Sequence, residues 1–257
     1  GSLGIKRLGG NRRWFRRAAR CDKLTDFCVT NSQFEEDVFR STFWPHTPFL
    51  KFGHPRNDVF FHPEEMAARR REVFHFYRLP EDVRVFLYAP TFREEDMDSY
   101  EQPDYAALRD ALEQRFGGRW VIMIRWHMKE VRKRMDDIPY DWIVNASSFA
   151  NMQDLLPAVD AGMSDYSSWV FDYMLTGRPV FLYAPDLELY DQARGFYYPL
   201  DATPFPLARS SGELIDQVLA FDAETYDRDV KAFLDEKGCY EDGGAARRVV
   251  DKLEEYL

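Results

Sequence analysis

Short apolar runs alternate along the chain with longer stretches whose apolar positions recur at helical spacing. The runs Phe27-Cys28-Val29-Thr30, Phe49-Leu50-Lys51-Phe52-Gly53, Val83 to Tyr88, Trp120 to Ile124, Asp141 to Asn145 and Pro179 to Tyr183 predict strands, as does the apolar stretch ending at Met163. Helices are predicted from Gln33 to about Arg40, Pro63 to Tyr77, Tyr105 to Phe116, Met152 to Val159 and Ser167 to Thr176. Their ends carry the expected signals: Asn31-Ser32 as a cap, Pro63 at a first helical position, Gly117-Gly118 as a stop. After Tyr183 the pattern predicts a loop over 184–190, then helices from Ser211 to Phe221, Ala223 to Glu236 and Ala245 onward. Residues 1–20 show no clean apolar period; Gly4, Gly9 and Gly10 predict a loop, and Trp14 to Arg20 a short basic helical turn. Strands alternating with helices from 27 to 183 predict an α/β fold, a Rossmann-like doubly wound parallel sheet with helices on both faces. The domain reading is a basic linker or domain remnant over 1–26, a nucleotide-binding domain over 27–240 and a C-terminal helix over 241–257.

Composition changes this picture in three ways. At 45% hydrophobic and 30% charged residues, 257 residues form a globular domain with a real core. The net charge of −10 is uneven: residues 1–20 hold seven Lys and Arg and no acid, so the remaining 237 residues carry −17. An acidic body argues against general nucleic-acid binding, which runs on phosphate neutralisation. The basic start suits a solvated helix or linker, or contact with an anionic membrane surface. Cys21, Cys28 and Cys239 show no metal or CxxC spacing and read as cytosolic thiols. No apolar run nears the ~20 residues that span a bilayer.

In doubly wound sheets ligands sit at the carboxyl ends of the strands. The unusual polar loops of this chain all fall there. They bring His54, Arg56, Asn57, Thr91, Arg93, Arg125, His127, Ser164, Asp165, Ser167, Ser168, Arg194, Asp186 and Glu188 to one rim. Arginines, two histidines and hydroxyls at a helix start describe a polyanion pocket, most simply one for a diphosphate. Asp186 or Glu188 suits ribose hydroxyls. The bland readings stand beside these: Ser167 and Ser168 as ordinary helix caps, Arg56 and Arg93 paired with nearby acids, His54 as a loop residue and His127 as a satisfied core histidine. Neither a GxGxxG nor a GxxxxGK[ST] fingerprint occurs. The sequence requires no metal or cofactor; a Mg²⁺ accompanying the diphosphate is compatible with it.

Five loops occur in a familiar order: Gly53-His54-Pro55-Arg56-Asn57-Asp58; Tyr88-Ala89-Pro90-Thr91-Phe92-Arg93; Arg125-Trp126-His127; Ser164-Asp165-Tyr166-Ser167-Ser168 with Phe171-Asp172; and Asp186-Leu187-Glu188 with the later Arg194-Gly195-Phe196-Tyr197. As a set, over about residues 27–200, they resemble the CDP-glycerol glycerophosphotransferase family of teichoic-acid primases and polymerases and capsule polyol-phosphate polymerases. The resemblance implies the C-terminal, donor-binding domain of a GT-B fold. It implies attack by an acceptor hydroxyl on the β-phosphorus of CDP-glycerol or another CDP-polyol, with CMP leaving, at a lipid-linked or polymeric polyol-phosphate acceptor. By the same resemblance His127 is the catalytic histidine near the transferring phosphate. Thr91, Arg93, Ser164, Asp165, Ser167, Ser168 and Arg194 would hold the donor diphosphate, and Asp186 and Glu188 the nucleoside. His54, Arg56, Asn57 and Arg125 would form the supporting loops. The family's second histidine, in a Trp-His-Gly motif, has no counterpart in the sequence. Gly1-Ser2-Leu3-Gly4-Ile5-Lys6-Arg7 resembles the stretch just after that histidine in family members. The expectation is therefore a piece of a larger enzyme that begins just past that base. Location at the inner face of the cell membrane is the matching expectation. The alternatives are a GT-B nucleotide-sugar glycosyltransferase and a non-catalytic nucleotide-binding module.

Overall fold

The computed structural model of the chain describes residues 3–4, 6–8, 12–92, 101–128 and 138–256. Six strands form a parallel sheet: β3 (Val83–Tyr88), β4 (Arg119–Ile124), β5 (Ile143–Asn145), β6 (Ala161–Ser164), β7 (Val180–Tyr183) and β8 (Leu207–Ala208). Their spatial order is β5-β4-β3-β6-β7-β8. Every pairing is parallel, with Tyr88 opposite Ile124 on one side and Met163 on the other. Counted from β3, this is the 3-2-1-4-5-6 order of a doubly wound nucleotide-binding sheet. The chain reverses direction across the sheet between β3 and β6. Right-handed crossovers therefore place the connections of the two halves on opposite faces. The strand interiors are nearly continuous apolar runs because both faces are covered; Val85, Phe86, Leu87, Tyr88 and Ile122 are fully buried.

Helix α4 (Tyr105–Phe116) packs against β4 and against α8 (Ser211–Leu219) on one face. On the other face α3 (Pro63–Tyr77) packs on the short α5 (Met152–Leu155) and on the 3₁₀ turn Leu156–Ala158 that completes it. The same face carries α6 (Trp169–Tyr173), extended by a 3₁₀ turn to Thr176. Helices α7 (Leu187–Arg194), α9 (Ala223–Lys237) and α10 (Ala245–Glu254) complete the C-terminal half. The bounds of α3, β3 and α4 coincide with those predicted.

The first two strands depart from expectation. β1 (Cys28–Thr30) and β2 (Phe49–Lys51) pair with each other, parallel, in a sheet of their own. They are linked by α2 (Gln33–Thr42), whose N-cap Ser32 accepts from the Glu35 N–H. The C-terminal segment ties this small unit down: the Tyr240 N–H donates to the Asn31 carbonyl and Gln33 N–H to that of Gly238. Three further elements differ from the prediction. The basic turn is a full helix, α1 (Arg12–Asp22). Residues 187–194, expected to begin as loop, are helical throughout. The short edge strand β8 had no sequence signal of its own.

Helix α1 is pinned at its end by Asp22. That buried carboxylate accepts from Thr47 Oγ1 at 2.7 Å, from the Thr47 N–H at 3.0 Å and lies 2.8 Å from His46 Nδ1. Burial works against its charge, but the hydrogen bonds from Thr47 and His46 outweigh it and hold its pKa down at about 2. This tie is therefore fully present above the ordinary carboxylate range and is lost as pH falls towards 2.

Arg78, the residue closing α3, has φ 54° and ψ 40° and is the single non-glycine residue with positive φ among those described. Glycine normally occupies this left-handed closing position, and a side chain there costs about 1 kcal/mol. Arg78→Gly should accordingly raise the unfolding free energy by about 0.5–1 kcal/mol in chemical denaturation. An unchanged or lower value would show that the Arg78 side chain contributes stability elsewhere.

Candidate functional site

The turn after β6 and the turn after β3 lie side by side at the point where strand order reverses. Gly162 permits this: a Cβ there would sit 2.8 Å from the Trp169 ring and 3.1 Å from the Leu87 carbonyl oxygen. The Trp169 indole can therefore lie across β6, and its Nε1 donates to the Ala89 carbonyl. Buried Ser164 donates to the same carbonyl at 2.6 Å. Asp165, also buried, accepts from the Thr91 N–H at 2.9 and 3.0 Å and from its neighbour's, Tyr166 N–H, at 2.5 Å. Ser164 and Asp165 thus fasten the two turns together; their polar atoms face protein, not ligand.

Ser167 and Ser168 are treated differently. Both are half-exposed, and among the described residues neither hydroxyl has a hydrogen-bond partner. Ser168 stands at the N-cap of α6 but in helical backbone conformation (φ −77°, ψ −7°), without a capping bond from its side chain. Ordinary capping, which would have consumed these hydroxyls, is not what they do.

Elsewhere on the rim the predicted residues divide. His127 is exposed at the end of β4, its ring 5.3 Å from that of Phe92, so it is no core histidine. Arg125 donates to the Ala146 and Phe149 carbonyls, both at 2.8 Å. Burial lowers its pKa. Through Nη1 it closes the turn after β5. Asp186 accepts from Tyr166 Oη at 2.8 Å, and Tyr166 is stacked on Tyr190 with ring centres 3.8 Å apart. Glu188 lies exposed on α7 and pairs with Arg209. Arg93 and the side chain of Arg194 lie outside what is described. Among the described residues no group of three or more His, Cys, Asp or Glu is placed to hold a metal ion.

His54, Arg56 and Asn57 form a second cluster whose partners the sequence did not reveal. Arg56 makes a bidentate pair with buried Asp172 on α6, at 3.1 and 3.2 Å. Burial alone would lower the guanidinium's pKa, but the Asp172 charge and hydrogen bonds outweigh it and the value is raised. Asn57, fully buried, donates to Asp172 at 3.3 Å and to Glu241 at 2.8 Å, and accepts from Gln153 at 3.1 Å. The His54 N–H also donates to Glu241, and its ring lies 2.9 Å from Glu35. Gly53 (φ 80°) is required here: a Cβ would lie 2.8 Å from the Glu241 carboxylate. Burial raises the pKa of Glu241, against the opposing hydrogen bonds from Asn57 and Asn31. Asp172 stood in one of the five loops but without its partner named, and neither Glu35 nor Glu241 stands out locally in sequence; Glu241 is 184 residues from Asn57.

This architecture, with side-by-side turns and open hydroxyls at the switch point of a doubly wound sheet, is that of a Rossmann-like domain of GT-B type. Residues 4–255 match the family model of CDP-glycerol:poly(glycerophosphate) glycerophosphotransferase, and the chain belongs to that family. It is 29% identical over 241 residues to a teichoic acid poly(glycerol phosphate) polymerase of Staphylococcus epidermidis, covering 89% of this chain and 32% of the relative. It is 30% identical over 213 residues to a teichoic acid ribitol-phosphate primase of Bacillus spizizenii, covering 81% and 53%. The solved structure of the wall teichoic acid polymerase TagF, in a variant soaked with CDPG, superposes with a TM-score of 0.82 at 26% identity, over 99% of this chain and 66% of that one. The chain thus spans only a third to a half of the two relatives' lengths.

Asn57 is the residue through which the second cluster is joined. Asn57→Ala leaves Glu241, Asp172 and Gln153 each short of a partner, and should lower the unfolding free energy by about 2–3 kcal/mol. Urea unfolding checks it; a loss below about 0.5 kcal/mol would mean that water replaces the amide at no cost.

Proposed function

We propose that this chain is the donor-binding part of a polyol-phosphate transferase. It takes a polyol phosphate, glycerol phosphate foremost, from a CDP-activated donor and passes it to the hydroxyl end of a growing polyol-phosphate polymer of teichoic-acid type. The observation that carries this reading is the pair of uncommitted hydroxyls of Ser167 and Ser168, set at the start of α6 beside a turn locked by Ser164 and Asp165. Family membership and the superposition on a polymerase soaked with CDPG support it.

In the proposed reaction an acceptor hydroxyl oxygen attacks the β-phosphorus. A new P–O bond forms, the P–O bond to CMP breaks, and the hydroxyl proton passes to a base. The protein's task is to hold the diphosphate and offset the charge that shifts onto the leaving CMP. Ser167 and Ser168 give two hydroxyl donors; Thr91, and by the family resemblance Arg93 and Arg194, are assigned to the same diphosphate. His127, exposed at the neighbouring strand end, is assigned to the transferring phosphate. Asp186, fixed by Tyr166, suits a ribose hydroxyl better than Glu188, whose charge is shared with Arg209. The reading gives the protein no metal of its own; a Mg²⁺ would arrive with the diphosphate.

Calorimetric titration with CDP-glycerol, CMP, CDP, UDP and GDP tests it. Cytidine-selective binding is expected, weakened about tenfold or more (~1.4 kcal/mol) in Ser168→Ala. Equal affinity for UDP and GDP would favour the nucleotide-sugar transferase, and no nucleotide binding at all would remove the donor-site reading.

The acceptor side of the same reading places the chain at a membrane surface. No helix among the described residues is long and apolar enough to cross a bilayer. Helix α1 instead exposes Arg13, Phe15, Arg16, Arg17 and Arg20 on its outer side, with Phe15 half-exposed at 51%. A basic face with one projecting ring suits an anionic leaflet, each arginine contributing about 1 kcal/mol. Co-sedimentation with phosphatidylglycerol vesicles should fall more than about tenfold in Arg16→Glu/Arg17→Glu. Equal binding by neutral phosphatidylcholine vesicles would rule the electrostatic contact out.

A further inference from the structure

Arg71, His75 and Arg78 occupy positions i, i+4 and i+7 of α3 and its closing residue, so they stand in one row on the helix surface. All three are exposed. Among the described residues none of their side chains has an ion pair or a hydrogen bond. Their basic neighbours are all committed: Arg69 to Glu72 and Asp154, Arg70 to Asp160 and the Ala158 carbonyl, Arg84 to the Phe116 carbonyl, and Arg119 to Asp82. Two unspent guanidinium groups in one row, Arg71 and Arg78, on a chain of net charge −10 are a local reversal of field that stability does not require. Arg78 is also the residue kept in left-handed backbone where glycine would be easier. Such a cost is maintained where the side chain has a task.

The row flanks an open groove of about 920 Å³ whose lining also includes Phe74, Phe76 and Leu79, with Phe76 55% exposed. Glu81 is the one acid on the described lining, against the cations of α3. The groove lies at the amino end of β3, the opposite end of the sheet from the turn that carries Thr91. The six residues of β3 separate the two ends by roughly 20 Å. The groove is therefore not an arm of the donor site. From Arg71 to Arg78 the row is about 10 Å long, more than a single diphosphate needs. Its concave form, with apolar side chains between the charges, fits a linear chain in which phosphodiesters alternate with short carbon segments. A flat bilayer surface would meet the convex α1 more readily than this groove.

We propose that the α3 groove is a second polyanion site that holds the body of a linear phosphodiester polymer, while the polymer's end reaches the donor rim. The proposal rests on the transferase reading. Held in this way, the acceptor end returns to the rim at high effective concentration after each addition.

The test titrates the full chain with fluorescently labelled poly(glycerol phosphate), a short and a long preparation, by anisotropy across a salt series. The long polymer should bind more tightly than the short one. Arg71→Glu/Arg78→Glu should lower its affinity at least about tenfold and reduce the slope of log K against log salt by about one to two, the loss of two phosphate contacts. Affinity for CDP-glycerol should not change. Arg78→Gly keeps the fold intact and should still bind the polymer less tightly, which separates loss of contact from loss of structure. Polymer binding equal to wild type in the double variant overturns the proposal. So does loss of phosphatidylglycerol-vesicle binding with polymer binding kept, which would make the groove a lipid dock, and so does a change in sedimenting mass, which would make it a contact between copies. Failure of the transferase reading shows separately, as absence of cytidine-nucleotide binding.

Discussion

The amide of Asn57 is where the halves of the structure meet. It bridges Asp172 on α6 and Glu241 in the C-terminal segment, and its oxygen takes the Gln153 amide. Around it the same loop reaches outward: Asp58 caps α10 through the Ala245 and Ala246 N–H groups, and the Phe52 carbonyl accepts from Arg248. Three carboxylates, Glu35, Asp172 and Glu241, converge on Arg56 and His54. Charges this poorly hydrated persist only when every lone pair is matched. Burial raises the pKa of Glu241, and the hydrogen bonds from Asn57 and Asn31 oppose that shift. Because Asp172 belongs to α6, the cluster also fixes the helix that Ser167 and Ser168 lead into.

At the carboxyl edge of the sheet the division of labour among polar groups is physical. Ser164 and Asp165 are buried, and a buried polar atom must bond to its surroundings, so they bind the turns to each other. Ser167 and Ser168, close behind them in the chain, are open to solvent and can exchange water for a ligand's oxygens at little cost. A site built this way is rigid in its backbone and unspent at its surface, which is what electrostatic pre-organisation requires.

Charge is distributed with the same economy. Many cations of this acidic chain are paired at short range. Arg16, Arg17 and Arg20 on the outer face of α1, and the row along α3, are left without an ion pair among the described residues. The first group is convex and carries a projecting ring; the second borders a groove. The groove lies at the amino end of β3, apart from the strand ends that carry the switch-point turns.

Fold class and most of the element order were legible from the residues one after another. Each rests on short-range physics: apolar period, caps such as Ser32, and stops such as Gly117 act within one or two turns. That reading misjudged α7 and missed β8, where local propensity is weak and packing wins. It also placed His54 to Glu188 and the other polar residues on one rim without ranking them. Which of them were spent emerged only from packing. Arg125 met carbonyls twenty-one and twenty-four residues away, Arg56 met Asp172 across 116 residues, and Glu188 met Arg209. Packing also put β1 and β2 in a sheet of their own, which alternation of elements cannot distinguish from one continuous sheet. The cause is common to all of these: a side chain's type sets what it can bond to, but the folded chain sets which partner arrives within about 3 Å.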